Sequence, residues 1–340
     1  MKAHGRSRVR IGVLSTEHMH AASYIRLLAK MPIVELVGIW DADPARAATA
    51  AKLAGTRELP TTDDLLGAVD GVVIASTNVD HLELTERAAA AGVDVLCDKP
   101  LATTVADAEA MVAACDRAGV RLMTAFPMRF SPAMRSLESS VRSGALGAIV
   151  CLEGVNSSRM PDTLAPWFVD PARSGGGALM DHVVHLADLY RWILRDEVVE
   201  VYAVANRILQ ERFDRVETSG LVMLRFAGGV FATIDCSWSK PRSYPTWGGL
   251  SIDAIGTAGV IRADGFRQRL AIYGGPGTGV AWPSWGPDED QGTLDEFVAA
   301  ISEKRPPAVS GVDGLRAVEI VAAAYRSLEN GAPVKLEART

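Results

Sequence analysis

A carboxylate and an imidazole stand four residues apart in the stretch Gly175-Gly176-Gly177-Ala178-Leu179-Met180-Asp181-His182-Val183-Val184-His185-Leu186-Ala187-Asp188. The glycines predict a close approach of the backbone to a ligand, and the residues after them predict a helix. On a helix Asp181 and His185 share one face. Asp188 continues that face, in reach of the His185 ring. Oxidation of an alcohol by hydride transfer needs a base for the hydroxyl proton. An imidazole, with a free pKa of about 6.5, suits that role near neutral pH. The plainer reading is also open: Asp181 caps the turn and His185 is a hydrogen-bonded core histidine.

A second set of reactive side chains follows apolar runs. Asp98-Lys99-Pro100 comes directly after Val93–Cys97. A lysine there stands at the ligand end of a parallel sheet, and Pro100 keeps its backbone extended. Its ammonium can donate to a substrate hydroxyl; the alternative is a surface-loop lysine. Ser76-Thr77-Asn78-Val79-Asp80-His81 follows Gly71–Ala75. Small hydroxyls at that point let a flat cofactor approach, while Asn78 or Asp80 also suits a helix cap.

The run Val9–Leu14 should lead into a phosphate-binding turn of the form G-x-G-x-x-G. The chain instead reads Ser15-Thr16-Glu17-His18-Met19-His20, with no glycine at any of the three positions. Asp41 nevertheless closes the next run, Val34–Trp40, where an acid would hold a ribose hydroxyl. Two readings stand. In one, helix N-terminal amides face a pyrophosphate, with Ser15, Thr16 and a histidine as side-chain donors. In the other, the turn no longer binds a dinucleotide. His18 and His20 are not expected to hold a metal, because they lie at a turn with no further His or Cys cluster nearby.

The elements that must position these groups follow from hydrophobic patterning. Strands are predicted at Val9–Leu14, Val34–Trp40, Gly71–Ala75, Val93–Cys97 and Val120–Ala125. Helices lie between them: one through Tyr24, Leu27 and Leu28, then Pro44–Leu53, Asp80–Ala91, and a helix opened by Thr104 and Asp107 and stopped at Gly119. This alternation implies an α/β domain with a parallel sheet and crossover helices. After about Gly147 the pattern changes. Beyond the helix that follows Gly177, strands are predicted at Val199–Ala205, Leu221–Phe226, Val230–Asp235, Leu250–Ile255 and Leu270–Tyr273. Helices return at Leu294–Glu303 and Gly314–Leu328, and 274–287 reads as a turn-rich loop. The expected organisation is a Rossmann domain over 1–126 and an α+β domain over 127–340 with a large, mostly antiparallel open sheet. The last helices are expected to pack on the first domain.

Composition narrows the function classes. The 340 residues are 48% hydrophobic and 22% charged, which suits a folded globular chain of about two domains. A net charge of −6 gives no electrostatic reason to expect a nucleic-acid partner. No apolar stretch approaches the roughly 18 residues of a membrane span. The four cysteines, Cys97, Cys115, Cys151 and Cys236, form no C-x-x-C pair and read as buried thiols in a reducing compartment. The basic segment Met1 to Arg10 precedes too short an apolar run for a signal peptide. A cytoplasmic protein is expected.

Together these segments resemble the Gfo/Idh/MocA family, the relatives of glucose–fructose oxidoreductase and inositol dehydrogenase. The resemblance spans nearly the whole chain. It rests on Asn78 with His81, on Asp98-Lys99-Pro100 as a version of the family's E-K-P, and on Arg129 in Met128-Arg129-Phe130. It also rests on Gly-Gly-Gly…Asp181…His185 and on the run from Gly311-Val312-Asp313-Gly314 through Ala324-Tyr325-Arg326-Ser327. It implies a nicotinamide-dependent oxidoreductase acting on a sugar or polyol, with a Rossmann domain and a sheet domain commonly used for oligomerisation. A homodimer or homotetramer is therefore expected. The resemblance assigns catalysis to Lys99, Asp181 and His185: His185 takes the proton, Lys99 orients the hydroxyl and tunes its pKa, and Asp181 positions the substrate. It assigns cofactor binding to Ser15, Thr16, His18, His20, Asp41, Ser76, Thr77, Asn78, His81, Asp98, Lys99 and Arg129. Asp41 points to NAD over NADP, since a carboxylate repels a 2′-phosphate.

The chain departs from the family pattern at several positions. The glycine fingerprint is absent, Ser76-Thr77 replaces Thr-Pro, and Asp98 replaces Glu. Val183 replaces the glycine of D-x-G-x-H, and Pro127 replaces Asn. Two other functions fit the same resemblance: a non-catalytic NAD- or metabolite-sensing regulator, and an enzyme that uses transient oxidation for elimination or glycoside cleavage. Trp167, Arg173 and His182, with Trp238 or Trp247, are candidate substrate contacts, because aromatic faces stack on sugars and an arginine reads a carboxylate.

Overall fold

The computed structural model describes residues 8–210, 215–266, 270, 272–273, 280–282 and 286–337. Much of the predicted loop 274–287 lies outside the described residues, as do residue 271 and the basic segment 1–7. In chain order the first elements are β1 (Val9–Leu14), α1 (Ala21–Leu28), β2 (Val34–Trp40), α2 (Pro44–Ala54), α3 (Thr62–Leu66), β3 (Gly71–Ile74), α4 (His81–Ala90), β4 (Asp94–Cys97), α5 (Val105–Ala118) and β5 (Leu122–Thr124). Next come α6 (Pro132–Arg142), β6 (Ile149–Arg159), α7 (Pro171–Ser174), α8 (Ala178–Leu194), β7 (Val198–Asn206), β8 (Ser219–Phe226), β9 (Phe231–Lys240), β10 (Gly248–Gly256) and β11 (Gly259–Asp264). The chain closes with β12 (Ile272–Tyr273), β13 (Val280–Ala281), α9 (Glu289–Glu303), α10 (Gly311–Asn330) and β14 (Val334–Lys335). Two compact units result: Met1–Phe126 with Asp290–Leu315, and Pro127–Glu289 with Arg316–Thr340.

The first unit holds a five-stranded sheet in the order β2-β1-β3-β4-β5, parallel throughout. β3 and β4 are buried along their whole length; β3 reads as a continuous apolar run, and β4 does so after Asp94, whose carboxylate pairs with Arg121. Local chemistry sets the helix ends. Asp43 caps α2 with Pro44 in its first turn, and Thr104 accepts from the Asp107 amide at 3.1 Å to open α5. Gly119 closes α5 in the left-handed region. The chain leaves β1 toward β2 and returns on the other side to β3. A sheet whose strand order reverses in this way opens a crevice beyond the carboxyl ends of those strands. The residues after β1, β3 and β4 therefore border it.

The second unit is built on a seven-stranded sheet in the order β11-β10-β6-β9-β8-β7-β14. Its pairs are antiparallel except β6 with β9, which run parallel with Cys151 opposite Phe231. The inward residues Leu152, Val201, Val222, Leu224, Ala232 and Ile234 are fully buried, on the face that packs against α8. The central strand β6 was not among the predicted strands. Its sequence, IVCLEGVNSSR, mixes Glu, Asn, Ser and Gly into the apolar alternation. The small Gly154 is required there, because a Cβ would overlap the Tyr190 hydroxyl. No helix among the described residues is long and apolar enough to cross a membrane.

Candidate active site

The turn after β1 keeps the conformation that the missing glycine would supply. Ser15, at the fingerprint's first glycine position, has φ +67°, a region that costs a non-glycine residue about 1 kcal/mol or more. Asp41 holds the turn there. One of its oxygens accepts from the Thr16 amide at 2.7 Å, the Thr16 hydroxyl at 2.8 Å and the Ser15 hydroxyl at 3.4 Å. The other accepts from the Asp43 amide and from the Arg46 guanidinium, both within 2.8 Å. Burial works against this carboxylate, but these donors outweigh it and leave its pKa below the usual value. Arg46 was not foreseen from the sequence; an arginine five residues after the acid, on a predicted helix, was the available signal. Asp41 is thus first a brace for the turn, and a ribose hydroxyl bound there shares a carboxylate already engaged.

The other two fingerprint positions need no glycine conformation. His20 takes the third, with φ −74°. Its ring nitrogen Nδ1 lies 3.2 and 3.3 Å from the two oxygens of Asp98, while Nδ1 of His18 lies 3.0 Å from one of them. Three groups of ligating type therefore stand within 4.8 Å of one another. No local sequence pattern signals this convergence, since Asp98 arrives from a different strand. Their facing atoms are spaced as hydrogen bonds, and we read the trio in that way. Burial drives the His18 pKa down to about 4 despite Asp98, so His18 is neutral at physiological pH. The two histidines hold the buried Asp98 carboxyl well below the usual range, against the opposing effect of burial.

Lys99 follows Asp98 and is 4% exposed. Its amide donates to the Asp98 carboxylate at 2.8 Å, and its bond to Pro100 is cis. His81, placed by the resemblance among cofactor contacts, is fully buried beneath this loop. Its Nδ1 donates to the carbonyls of Pro100 and Leu101 at 3.0 and 3.2 Å. It props the lysine loop and does not face the crevice. Ser76 and Thr77 are buried after β3; Ser76 donates to the Thr77 carbonyl and Thr77 to Asp80. Asn78 opens a short 3-10 turn before α4 and is buried with them.

In the second unit, α8 carries the other candidates. Most of the helix is buried, whereas Asp181 and His185 are only half-buried on a shared face. Trp238 donates its indole N–H to Asp181 at 2.9 Å. His182 is buried, with its Nε2 3.1 Å from the Ser158 hydroxyl, and its carbonyl accepts from Asn156. Trp167 is buried against Phe168, and Arg173 lies half-buried on α7.

Three expectations for this unit need correction. Asp188 does not orient His185. It is fully buried and forms a two-pronged ion pair with Arg129 at 2.5 and 2.8 Å. Breaking such a buried pair typically costs about 3–5 kcal/mol, so Arg129 is seated as a structural partner of α8. Trp238 is buried and is better described as a support of Asp181 than as a lining residue. Finally, Gly176 and Gly177 make room for protein. A Cβ at Gly176 would overlap the Tyr325 hydroxyl, and one at Gly177 the Glu217 carbonyl.

Those contacts reveal how α8 begins. Gly177 offers no side-chain cap. The carboxylate of Glu217 takes its place, accepting from the amides of Gly177 and Leu179 at 3.0 and 2.9 Å and from the Tyr325 hydroxyl at 2.8 Å. Neither Glu217 nor its role carried a local sequence signal.

A nicotinamide dinucleotide fits the first unit on the evidence of Ser15. The turn adopts the left-handed step of the fingerprint at the strand-order reversal, with polar groups from three strand ends around it. Residues 9–126 match the oxidoreductase family with an NAD-binding Rossmann fold, and residues 134–262 match the GFO/IDH/MocA C-terminal domain. The chain is 30% identical to a D-apiose dehydrogenase of Paraburkholderia graminis, over 96% of this chain and 88% of that protein. It is 32% identical to a myo-inositol 2-dehydrogenase of Thermotoga maritima, over 79% of this chain and 80% of that one. The crystal structure of GenD2 from gentamicin A biosynthesis, in complex with NAD, superposes with a TM-score of 0.90 at 27% identity, covering 99% of this chain and 98% of that one. The chain belongs to the GFO/IDH/MocA family of oxidoreductases, and its N-terminal unit is that family's NAD-binding Rossmann domain.

Proposed function

We propose that this oxidoreductase moves a hydride between NAD and a hydroxyl-bearing carbon of a sugar, polyol or related cyclic alcohol. The observation that carries the reading is the pair Asp181 and His185, partly exposed on one face of a mostly buried helix, with Asp181 held by Trp238. The substrates named for the two relatives, an aldose and a cyclic polyol, support the class. When bound, NAD supplies the hydride acceptor. His185 takes the hydroxyl proton, Asp181 accepts a hydrogen bond from a neighbouring hydroxyl, and Lys99 donates to the reacting oxygen and favours its ionisation. Ser15, Thr16, Asp41, Ser76, Thr77, Asn78 and the Asp98 trio line the cofactor's side. Incubation with NAD and a panel of aldoses and cyclic polyols tests this. Growth of the reduced-nicotinamide band with at least one member is expected; a flat response across the panel contradicts it.

Trp238 offers a sharper test of Asp181. Trp238→Phe keeps a smaller aromatic ring and removes the indole donor. A hydrogen bond to a charged group is worth about 1.5–3 kcal/mol, so kcat should fall roughly tenfold or more, with a lower melting temperature because the smaller ring leaves a void at a buried position. An unchanged kcat removes Trp238 from this role.

The outer face of the second sheet supports a homo-oligomer. Val204 lies opposite Leu221 and Tyr202 opposite Met223, and on the next strand Phe231 lies opposite Arg225. Val204, Leu221, Met223 and Phe231 are all exposed, and exposed apolar side chains grouped on one sheet face suit an association surface. Met223→Glu should lower the mass measured by light scattering to that of a single chain; a wild-type monomer contradicts the reading. The four buried thiols fit a reducing, cytoplasmic setting.

A further inference from the structure

Two departures from the family pattern meet at one place. His20 stands at the third glycine position, and Asp98 is one methylene shorter than the family's glutamate. Their side chains contact each other at 3.2 Å. Asp98 is fully buried, whereas the His20 side chain is 29% exposed with its Nδ1 turned to the carboxylate. With Nδ1 engaged by the carboxylate, Nε2 is the ring's second nitrogen and its remaining N–H donor when the ring is protonated. We propose that Asp98 and His20 form a charged grip for the dinucleotide's phosphates, replacing the glycine turn with an imidazolium whose Nε2–H donates to a phosphate oxygen.

The geometry divides the labour. A glycine turn binds phosphate with backbone amides alone, because the chain approaches closely. The third position serves the packing of helix on strand in that turn, and a histidine there adds a charged side-chain donor beside the backbone amides. The buried carboxylate keeps the ring oriented and supplies the counter-charge when no ligand is bound. Beside the Asp98 carboxylate the His18 and His20 rings meet edge to face, with centroids 4.4 Å apart.

The surroundings of His20 support its charged form. Burial opposes the imidazolium, but Asp98 favours it by charge and by hydrogen bond, and Asp290 on α9 adds to this. Lys99 opposes it. The net result is a His20 pKa above the ordinary value. The other neighbours do not titrate near neutrality: His18 lies at about 4, burial raises the Tyr24 hydroxyl, and Asp98 stays ionised. His20 is thus the histidine of the pair whose charged form its surroundings favour.

The inference rests on the reading that this unit binds NAD. Its test is the dissociation constant of the full chain for NAD, measured by calorimetry from about pH 5.5 to pH 9. Adenosine, which carries no phosphate, is the control ligand. For the wild type, NAD affinity should fall roughly tenfold to a hundredfold as pH rises through the His20 pKa, while adenosine affinity stays level. His20→Gln should bind NAD weakly at every pH, without the slope. Asp98→Asn should keep the slope and move its midpoint to lower pH, since the carboxylate that holds the proton is gone. NAD binding that is tight and independent of pH in the wild type, or a slope that survives in His20→Gln, overturns the grip while leaving the cofactor assignment intact. Failure of the wild type to bind NAD at any pH overturns both.

Discussion

Replacing Lys99 with alanine should reduce turnover by a factor of about 10² to 10⁴, the range typical of a lost proton-handling group, while leaving the fold in place. The reason lies in how the loop is held. The Asp98 amide donates to the Ile74 carbonyl, the Lys99 amide donates to the Asp98 carboxylate, and His81 holds the carbonyls of Pro100 and Leu101. None of these bonds uses the lysine side chain. Its stem is buried, however, so alanine also leaves a small void. Lys99→Met keeps the stem and removes the ammonium. The two variants should therefore differ in melting temperature and agree in lost kcat. Activity retained in Lys99→Met would assign the lysine a packing role only.

The second large effect concerns the start of α8. Gly177→Ala places a Cβ against the Glu217 carbonyl oxygen, which itself accepts from the Ala178 amide at 3.0 Å. Backbone cannot yield as a flexible side chain does. The helix start must shift, at a cost of about 1–3 kcal/mol. For a unit of this size that lowers the melting temperature by roughly 2–4 °C per kcal/mol. Asp181 lies four residues on, within the first turn. A displacement of about 1 Å at a positioned group costs on the order of 10²-fold in rate. Gly177→Ala should thus lose both stability and kcat. Normal kinetics in this variant would mean that the Glu217–Tyr325 anchor does not set the position of Asp181.

These effects show where the sequence was informative. The Rossmann strands are legible because a strand buried on both faces is largely apolar; β3 is so throughout and β4 is so after Asp94. The i, i+4 relation of Asp181 and His185 was legible because helical periodicity is local. The contacts that support the site were not. Arg129 and Asp188 are separated by 59 residues, and Tyr325 and Glu217 by 108. Each partner reads alone as an ordinary charged or aromatic residue. The three glycines before α8 were read as room for a ligand, yet two of them make room for Tyr325 and Glu217. The absent glycines after β1 were read as doubt about a dinucleotide, and there the backbone answers. Ser15 adopts the left-handed step under the hold of Asp41, a conformation that composition does not reveal.

The central claim is hydride transfer from a carbinol carbon to the nicotinamide ring. A polyol active in the panel, deuterated at its carbinol carbons, should be mixed with NAD and the full chain, and the recovered cofactor weighed by mass spectrometry. Reduced cofactor carrying one deuterium from the substrate is expected, as is its loss in Lys99→Met. Oxidised cofactor recovered unlabelled, with the polyol unchanged, would contradict it.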